Sequence, residues 1–382
     1  MNATMKPPFQ NLDRLVADEP RRCPRLAYCR TFGALIGYVK NASRKGAKAQ
    51  SCSVACLFCA SLRFCVTPIP IAGLFTQSLR FAFIFFAMLL FAGCKDRNGT
   101  ATIPVKSWRT WMLPTDGAVQ PTPRSLATGP HDELAVMDTA GRVLIYDANG
   151  ALLRQWKMLD VQFGKPEGIV WLKDDRIVVC DTHYRRLVWF DQQGHVLKTL
   201  GQHGKGRGEF IYPVGICKDT AENLYVCEYG GNDRVQVFTR EGEWLREFGS
   251  PGTGAGQFQR PSGLVWHAGK VFVVDAINNR VHIFTEEGKY LSLLGAGSDG
   301  KSALIFNLPY DIALAPDGSL YVIEYGAGRL SRVSLDGTLL GRYGKTGRGD
   351  AEFATPWGLT VDSRMRVLVA DTMNRRIVCV GL

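Results

Sequence analysis

A motif that recurs six times along the last three quarters of the chain limits its fold more than any other feature. Each copy opens with a proline, a variable residue, a position that is usually glycine, and an aliphatic residue. The opening prolines lie 43 to 48 residues apart: Pro123, Pro166, Pro213, Pro261, Pro309 and Pro356. A single unit of this size cannot bury its own apolar face, so the repeat predicts that neighbouring units pack against one another.

An acidic residue and an arginine recur inside every unit. An apolar run follows each proline and stops at a carboxylate 14 or 15 residues later, and an arginine follows after four to six more residues. The pairs are Asp138 with Arg142, Asp181 with Arg186, Glu228 with Arg234, Asp275 with Arg280, Glu324 with Arg329 and Asp371 with Arg376. Because the feature is present in every copy, we interpret it as scaffold: the carboxylate accepts backbone N–H groups of its own turn, and the arginine pairs with it.

Each unit is typical of four short β-strands. Runs such as Val271–Val274 and Leu320–Ile323 are β-branched and aromatic and are bounded by turn residues. Four strands repeated radially form the blades of a propeller. We therefore predict an all-β fold, a six-bladed β-propeller with four-stranded blades over residues 104–382. The last unit ends after its third strand, so we predict that residues 105–112 complete that blade and close the ring.

The segments around the carboxylates resemble the NHL-repeat family of six-bladed propellers. Examples are Val274–Val281 (VDAINNRV) and Ala370–Ile377 (ADTMNRRI), and the resemblance covers all six repeats. The third and fifth repeats depart from it, with Glu-Tyr where the family has Asp-Thr. Related propellers include zinc-dependent lyases and lactonases that hold calcium at the axis. The resemblance therefore implies zinc or calcium in the channel as an alternative, with Glu228, Glu324 and Asp311 as weak candidate ligands.

The first 94 residues have a different character. They hold 12 Lys and Arg against 3 Asp and Glu, and six of the chain's 11 cysteines lie in the first 65 residues. Phe81–Gly93 is an apolar run of 13 residues after Arg80, which is shorter than a membrane-spanning helix and typical of a secretory signal. Its end, Leu-Phe-Ala-Gly-Cys94, resembles a bacterial lipoprotein signal, which implies lipidation of Cys94.

These features divide the chain into three parts. We expect residues 1–75 to be a mis-assigned or disordered extension, residues 76–94 a signal peptide, and residues 104–382 the propeller. The protein is then expected to be exported and held in the bacterial cell envelope by a lipid anchor, facing the periplasm or in the outer membrane.

Residues that break the repeat are the best candidates for a binding face. They lie after the prolines and in the carboxylate turns, and many are of the types that dominate binding energy at interfaces. The candidates are Tyr184, Arg185, Tyr229, Asn232, Tyr310, Tyr325, Trp357 and Arg375.

The sequence favours a non-catalytic binding or scaffold module that recognises a protein or a small ligand through its loop faces. We identify no catalytic residue and predict no cofactor. The alternative is a metal-dependent lyase or lactonase that acts at the channel. Binding to RNA is disfavoured because residues 95–382 hold 34 Lys and Arg against 32 Asp and Glu, a net charge of +2.

Overall fold

The computed structural model describes residues 101–296, 300, 304 and 306–382. The expectations for residues 1–94, including Cys94, lie outside this range. No helix within it is long and apolar enough to cross a bilayer. Two 3-10 turns, Thr182–Tyr184 and Thr372–Asn374, interrupt the strands. The strands in chain order are β1 (Ser107–Met112), β2 (Pro123–Thr128), β3 (Leu134–Asp138), β4 (Arg142–Tyr146), β5 (Leu152–Lys157), β6 (Gly168–Trp171), β7 (Ile177–Asp181), β8 (Arg186–Phe190), β9 (Val196–Leu200), β10 (Tyr212–Lys218), β11 (Leu224–Tyr229), β12 (Arg234–Phe238), β13 (Trp244–Phe248), β14 (Ser250–Pro251), β15 (Gln257–Phe258), β16 (Pro261–His267), β17 (Lys270–Asp275), β18 (Arg280–Thr285), β19 (Tyr290–Leu293), β20 (Pro309–Leu314), β21 (Leu320–Glu324), β22 (Arg329–Val333), β23 (Leu339–Tyr343), β24 (Lys345–Thr346), β25 (Glu352–Phe353), β26 (Gly358–Val361), β27 (Arg366–Asp371) and β28 (Arg376–Gly381).

Six four-stranded antiparallel sheets form the blades. Five are continuous in sequence: β2–β5, β6–β9, β10–β13, β16–β19 and β20–β23. The sixth has the order β1-β28-β27-β26. Two short parallel pairs, β14 with β15 and β24 with β25, form in glycine-rich linkers between blades. The prediction of a six-bladed β-propeller is confirmed.

The N-terminal strand closes the ring, as the sequence predicts. Strand β1 runs antiparallel to β28, with Ser107 opposite Gly381 and Met112 opposite Arg376. The Nζ of Lys106 also donates a hydrogen bond to the carbonyl of Leu382 at 3.0 Å. This pairing covers the edge of β28, which would otherwise expose unpaired backbone groups.

The hydrophobic core lies between adjacent blades. One apolar cluster joins residues of the first and second blades, such as Met137 and Val179, and another joins the third and fourth. The linkers contribute to it, because Phe210, Phe258 and Phe353 follow glycine-rich stretches and are fully buried. These stretches therefore serve as packed connections between blades.

The innermost strand of every blade lines a central channel, and neighbouring inner strands touch around the ring. These strands are β2, β6, β10, β16, β20 and β26. The glycine of the repeated opening allows this close approach. A Cβ on Gly215 would overlap the carbonyl oxygen of Ser262 in the next blade. In the fifth blade Asp311 replaces the glycine, and a Cβ on Gly263 would overlap its carboxylate.

Candidate functional site

The repeat openings and the carboxylate turns lie at the same end of the propeller. Strand pairing places Pro213 opposite Glu228 and Pro261 opposite Asp275. We call this end of the channel the mouth. It is the rim on which the binding-face candidates were expected to lie.

All six carboxylates pair with their arginines. The Nε atom of each arginine lies 2.7 to 2.9 Å from a carboxylate oxygen. Asp275 also accepts the backbone N–H of Gln259 at 2.7 Å and the side-chain amide of Asn278 at 2.8 Å. Burial raises the pKa of Asp181 to about 6, although its hydrogen bond from Arg186 lowers that pKa. Each pair thus fixes the turn at the end of its second strand.

A cavity of about 400 Å³ occupies the channel. Aliphatic residues of the inner strands, such as Ile169, Leu264 and Ile312, line its wall. Asp311 also lines it and accepts the backbone N–H of Leu359 at 3.0 Å. Burial raises the pKa of Asp311 to about 7, so this carboxyl titrates near neutral pH.

A chain of hydrogen bonds crosses the mouth. Arg124 donates to Glu167 at 2.8 Å, and the hydroxyl of Tyr310 donates to the other oxygen of Glu167 at 3.1 Å. Arg260 donates to the same hydroxyl at 3.2 Å. Glu167 belongs to the second blade and Tyr310 to the fifth, which are opposite one another in the ring. Their bond therefore bridges the channel opening.

Aromatic rings surround this chain. The guanidinium of Arg124 lies 4.1 Å from the ring centroid of Trp357, and that of Arg260 lies 4.0 Å from the ring centroid of Tyr229. The centroids of Tyr310 and Trp357 are 5.2 Å apart. Burial raises the pKa of Tyr229 to about 12, so its hydroxyl keeps its proton at neutral pH.

Four charged side chains act on the imidazole of His183 at the mouth. Burial lowers the pKa of His183, Glu167 raises it, and Arg124, Arg185 and Arg260 lower it further. Three guanidinium groups and one carboxylate therefore act on the same imidazole.

The structure brings together only some of the expected binding residues. Tyr229, Tyr310 and Trp357 meet at the mouth, and the ring of Tyr325 lies 6.1 Å from that of Tyr310. The hydroxyl of Tyr184 instead accepts the backbone N–H groups of residues 162 and 163.

Three other candidates belong to the carboxylate turns. Asn232 donates to Glu228 at 3.1 Å, which makes it part of the scaffold. Arg185 and Arg375 occupy left-handed backbone positions with φ of 59° and 57°, and Arg375 is exposed.

Arg260 and Tyr212 contribute to the mouth but were not among the predicted residues. Both immediately precede the proline of their repeat, and Tyr212 stacks on Tyr229 with ring centroids 5.2 Å apart. The sequence interpretation considered the residue after each proline and the carboxylate turns, and it left out the residue before each proline. Comparing the preceding positions across the six repeats would have found both.

The weak metal candidates do not converge. The carboxylate oxygens of Glu228 and Glu324 already accept hydrogen bonds, from Arg234 and Arg329 among others. Asp311 lies apart from them on the channel wall. Within the described residues, no three His, Cys, Asp or Glu side chains are grouped so that they could hold a metal ion.

Comparisons with known proteins agree with this architecture. No protein-family model matches the chain. A segment of 89 residues is 35% identical to NHL repeat-containing protein 3 of Homo sapiens, which covers 21% of this chain and 26% of that protein. The match thus spans about a quarter of the human protein's length.

Two solved structures show the same fold. Virginiamycin B lyase from Staphylococcus aureus aligns with a TM-score of 0.53 at 14% identity, over 72% of this chain and 100% of that one. A gluconolactonase from Xanthomonas campestris aligns with a TM-score of 0.53 at 16% identity, over 73% and 90%. The two structures support the fold, and the local match to an NHL repeat-containing protein agrees with the six repeats: the chain is a six-bladed β-propeller built from NHL-like repeats.

Proposed function

We propose that this protein is a non-catalytic binding module of the bacterial cell envelope that recognises a protein or a small ligand through the mouth of its channel. The observation that supports this most is the group of Tyr229, Tyr310 and Trp357 around two arginines, Arg124 and Arg260. Tyrosine, tryptophan and arginine are the residues that most often dominate binding energy.

The mouth is also organised before any partner arrives. The hydrogen bonds among Arg124, Glu167, Tyr310 and Arg260 hold these side chains in fixed positions. A site that is already ordered loses less conformational entropy when it binds, which favours affinity. A rigid aromatic and cationic rim on a closed scaffold is therefore suited to recognition.

The test compares two variants that differ in location. Trp357→Ala removes an aromatic wall of the mouth, and Leu197→Ala removes an exposed side chain of β9 on the outer rim, where Leu197 is 53% exposed. Full-length protein is recovered from envelope fractions, and bound proteins and small molecules are quantified by mass spectrometry. We expect Leu197→Ala to retain the wild-type partner and Trp357→Ala to lose it; equal recovery by both would contradict the proposal.

The envelope location depends on the signal-like segment that ends at Cys94. Lipidation of this cysteine would hold the propeller at a membrane. A single acyl chain anchors a protein only weakly, and a second membrane-binding feature strengthens the attachment. Metabolic labelling with a fatty-acid analogue is expected to label the wild type but not Cys94→Ser. Labelling of both proteins would place the anchor elsewhere.

A metal-dependent lyase or lactonase at the channel is the second candidate. Asp311 favours it, because a channel carboxyl with a pKa of about 7 has the titration range of a general acid or base. Two proteins with the same fold are a virginiamycin B lyase and a gluconolactonase. Stoichiometric zinc or calcium in the purified protein, with lactone or lyase turnover lost in Asp311→Asn, would favour this candidate over the binding module.

A further inference from the structure

We propose that the mouth binds a small organic anion, with a carboxylate or phosphate group at Arg124 and a flat, apolar body in the channel. This inference rests on the proposed binding function and narrows its ligand to one chemical class.

The first support is the pair of hydrogen-bond donors, Arg124 and Tyr310, that the anion would use. Glu167 now supplies the acceptor for both the Arg124 guanidinium and the Tyr310 hydroxyl. Both donors are therefore already oriented toward one carboxylate. A ligand carboxylate or phosphate can replace that of Glu167 and receive the same two hydrogen bonds, which are strong because the acceptor is charged.

The second support is independent of this ion pair. Ser262 lines the same cavity and is only 6% exposed, yet its Oγ has no hydrogen-bond partner within the described part of the chain. The Nε of Arg124 is likewise buried without a partner there. Burying a polar group without a hydrogen-bond partner is unfavourable, so such groups favour a ligand that satisfies them.

Charge around the site favours a negative ligand. Arg124, Arg185 and Arg260 act on the imidazole of His183 together with the carboxylate of Glu167. Asp311 also lines the cavity, and burial favours its neutral form by raising its pKa to about 7. The neighbouring carboxylate of Asp233 accepts the backbone N–H of Arg260 at 2.7 Å. An anion at Arg124 would also lie in the same hydrogen-bond chain as the guanidinium of Arg260, because Glu167 and Tyr310 join these two arginines.

The shape of the site defines the rest of the ligand. Trp357 lines the mouth beside Tyr310, and aliphatic side chains such as Leu264 and Ile312 continue below. The cavity of about 400 Å³ lies within the range that small-molecule sites occupy. A ring or short apolar body that carries one acidic group fits both features.

The test uses three probes of similar size: benzoate, phenyl phosphate and the neutral benzamide. Binding to the full chain is measured by isothermal titration and by quenching of tryptophan fluorescence. We expect both anions to bind and benzamide to bind at least about tenfold more weakly, because a charged acceptor is lost. Binding of none of the probes, or equal affinity for benzoate and benzamide, overturns the proposal.

Three variants distinguish a specific anion site from general attraction to a basic surface. Arg124→Gln is expected to weaken benzoate binding about tenfold, since it removes the charged donor. Glu167→Gln is expected to strengthen it, because the internal competitor loses its charge. Arg348→Gln, an exposed residue of the loop between β24 and β25, is the matched control and should bind like the wild type.

A variant that does not fold cannot be used to judge binding, so the folding of each variant is measured first. Circular dichroism identifies a variant that does not fold, and Ser262→Ala then replaces it, with an expected weakening of about threefold. If neither Glu167→Gln nor the other folded mouth variants change benzoate affinity, the proposal is wrong. Loss of the envelope partner in Trp357→Ala without any anion binding would leave the binding function standing and reject the small anion as its ligand.

Discussion

Two groups of residues lie side by side at the mouth and differ in how they repeat. The carboxylate–arginine pairs recur in every blade, and all six make the same contact. The residue that follows the repeat proline differs in every blade, and three of these residues, Arg124, Glu167 and Tyr310, join Arg260 in a single asymmetric network across the channel. A residue that recurs in all blades stabilises the fold of each blade. A residue that differs between blades can instead determine what the mouth binds, because all six blades meet there.

The contrast has a consequence for stability. Loss of a repeated element should affect the folding of the whole ring, because each blade packs only on its neighbours and the ring must close. Loss of a mouth residue should affect binding more than folding. Four changes, in order of decreasing effect, examine the scaffold side of this contrast and its limits.

The largest effect is expected from removal of the closing strand. Deletion of residues 104–113 exposes the edge of β28 along the whole length paired with β1. We expect loss of a single cooperative unfolding transition, measured by calorimetry. Thr110→Ala, at an exposed position in β1, is the control and should melt like the wild type. An unchanged transition after the deletion would show that closure does not hold the ring together.

The next effect concerns a single buried carboxylate. Asp275→Ala removes the carboxylate that pairs with the guanidinium of Arg280, and breaking a buried ion pair costs about 3 to 5 kcal/mol. Asp116→Ala breaks a more exposed pair with Lys157 and should cost less than about 1 kcal/mol. Both free energies of unfolding are measured in urea. Similar losses in the two variants would mean that burial does not set the importance of the repeated pair.

A smaller effect, which depends on pH, is expected at Asp311. Its pKa is raised from 3.8 to about 7 in the folded state, so the folded protein keeps a proton that the unfolded chain releases. The stabilisation from this proton is complete below about pH 4 and is lost as pH rises to 7. Asp311→Asn should abolish this loss and stabilise the protein at pH 8 by on the order of 2 kcal/mol.

The measurement for Asp311 is a series of urea denaturations between pH 4 and pH 8. Asp350→Asn, at an exposed carboxylate in the loop between β24 and β25, is the control and should keep the wild-type pH dependence. A parallel pH profile for wild type and Asp311→Asn would contradict the raised pKa.

The smallest effect is expected at Arg375. This residue lies in a carboxylate turn and is also one of the predicted binding residues. It has a left-handed backbone with φ of 57°, and glycine occupies the equivalent turn position at Gly328 in the fifth blade. Arg375→Gly should stabilise the protein by less than about 1 kcal/mol, since the relief of strain exceeds the entropy that glycine loses. Arg375→Ala keeps the strained backbone and should give no gain in thermal denaturation; a gain as large as that of glycine would exclude backbone strain as the cause.

The repeated part of this protein could be predicted from the sequence alone. The spacing of prolines, carboxylates and arginines determined the number of blades, the strand order and the ion pairs, because each of these depends on contacts within about one repeat. Closure by residues 105–112 followed from the same counting, since the sixth unit lacks one strand. The all-β class followed from β-branched runs between turn residues.

The mouth was decided by the tertiary structure. Glu167 and Tyr310 are 143 positions apart, and they meet only because the closed ring places the second and fifth blades on opposite sides of one channel. Tyr184 and Tyr229 both occupy carboxylate turns, yet one accepts backbone N–H groups of a nearby linker and the other lies against Arg260. Local sequence determines how each blade folds, whereas contacts across the channel depend on the curvature of the ring and the reach of individual side chains.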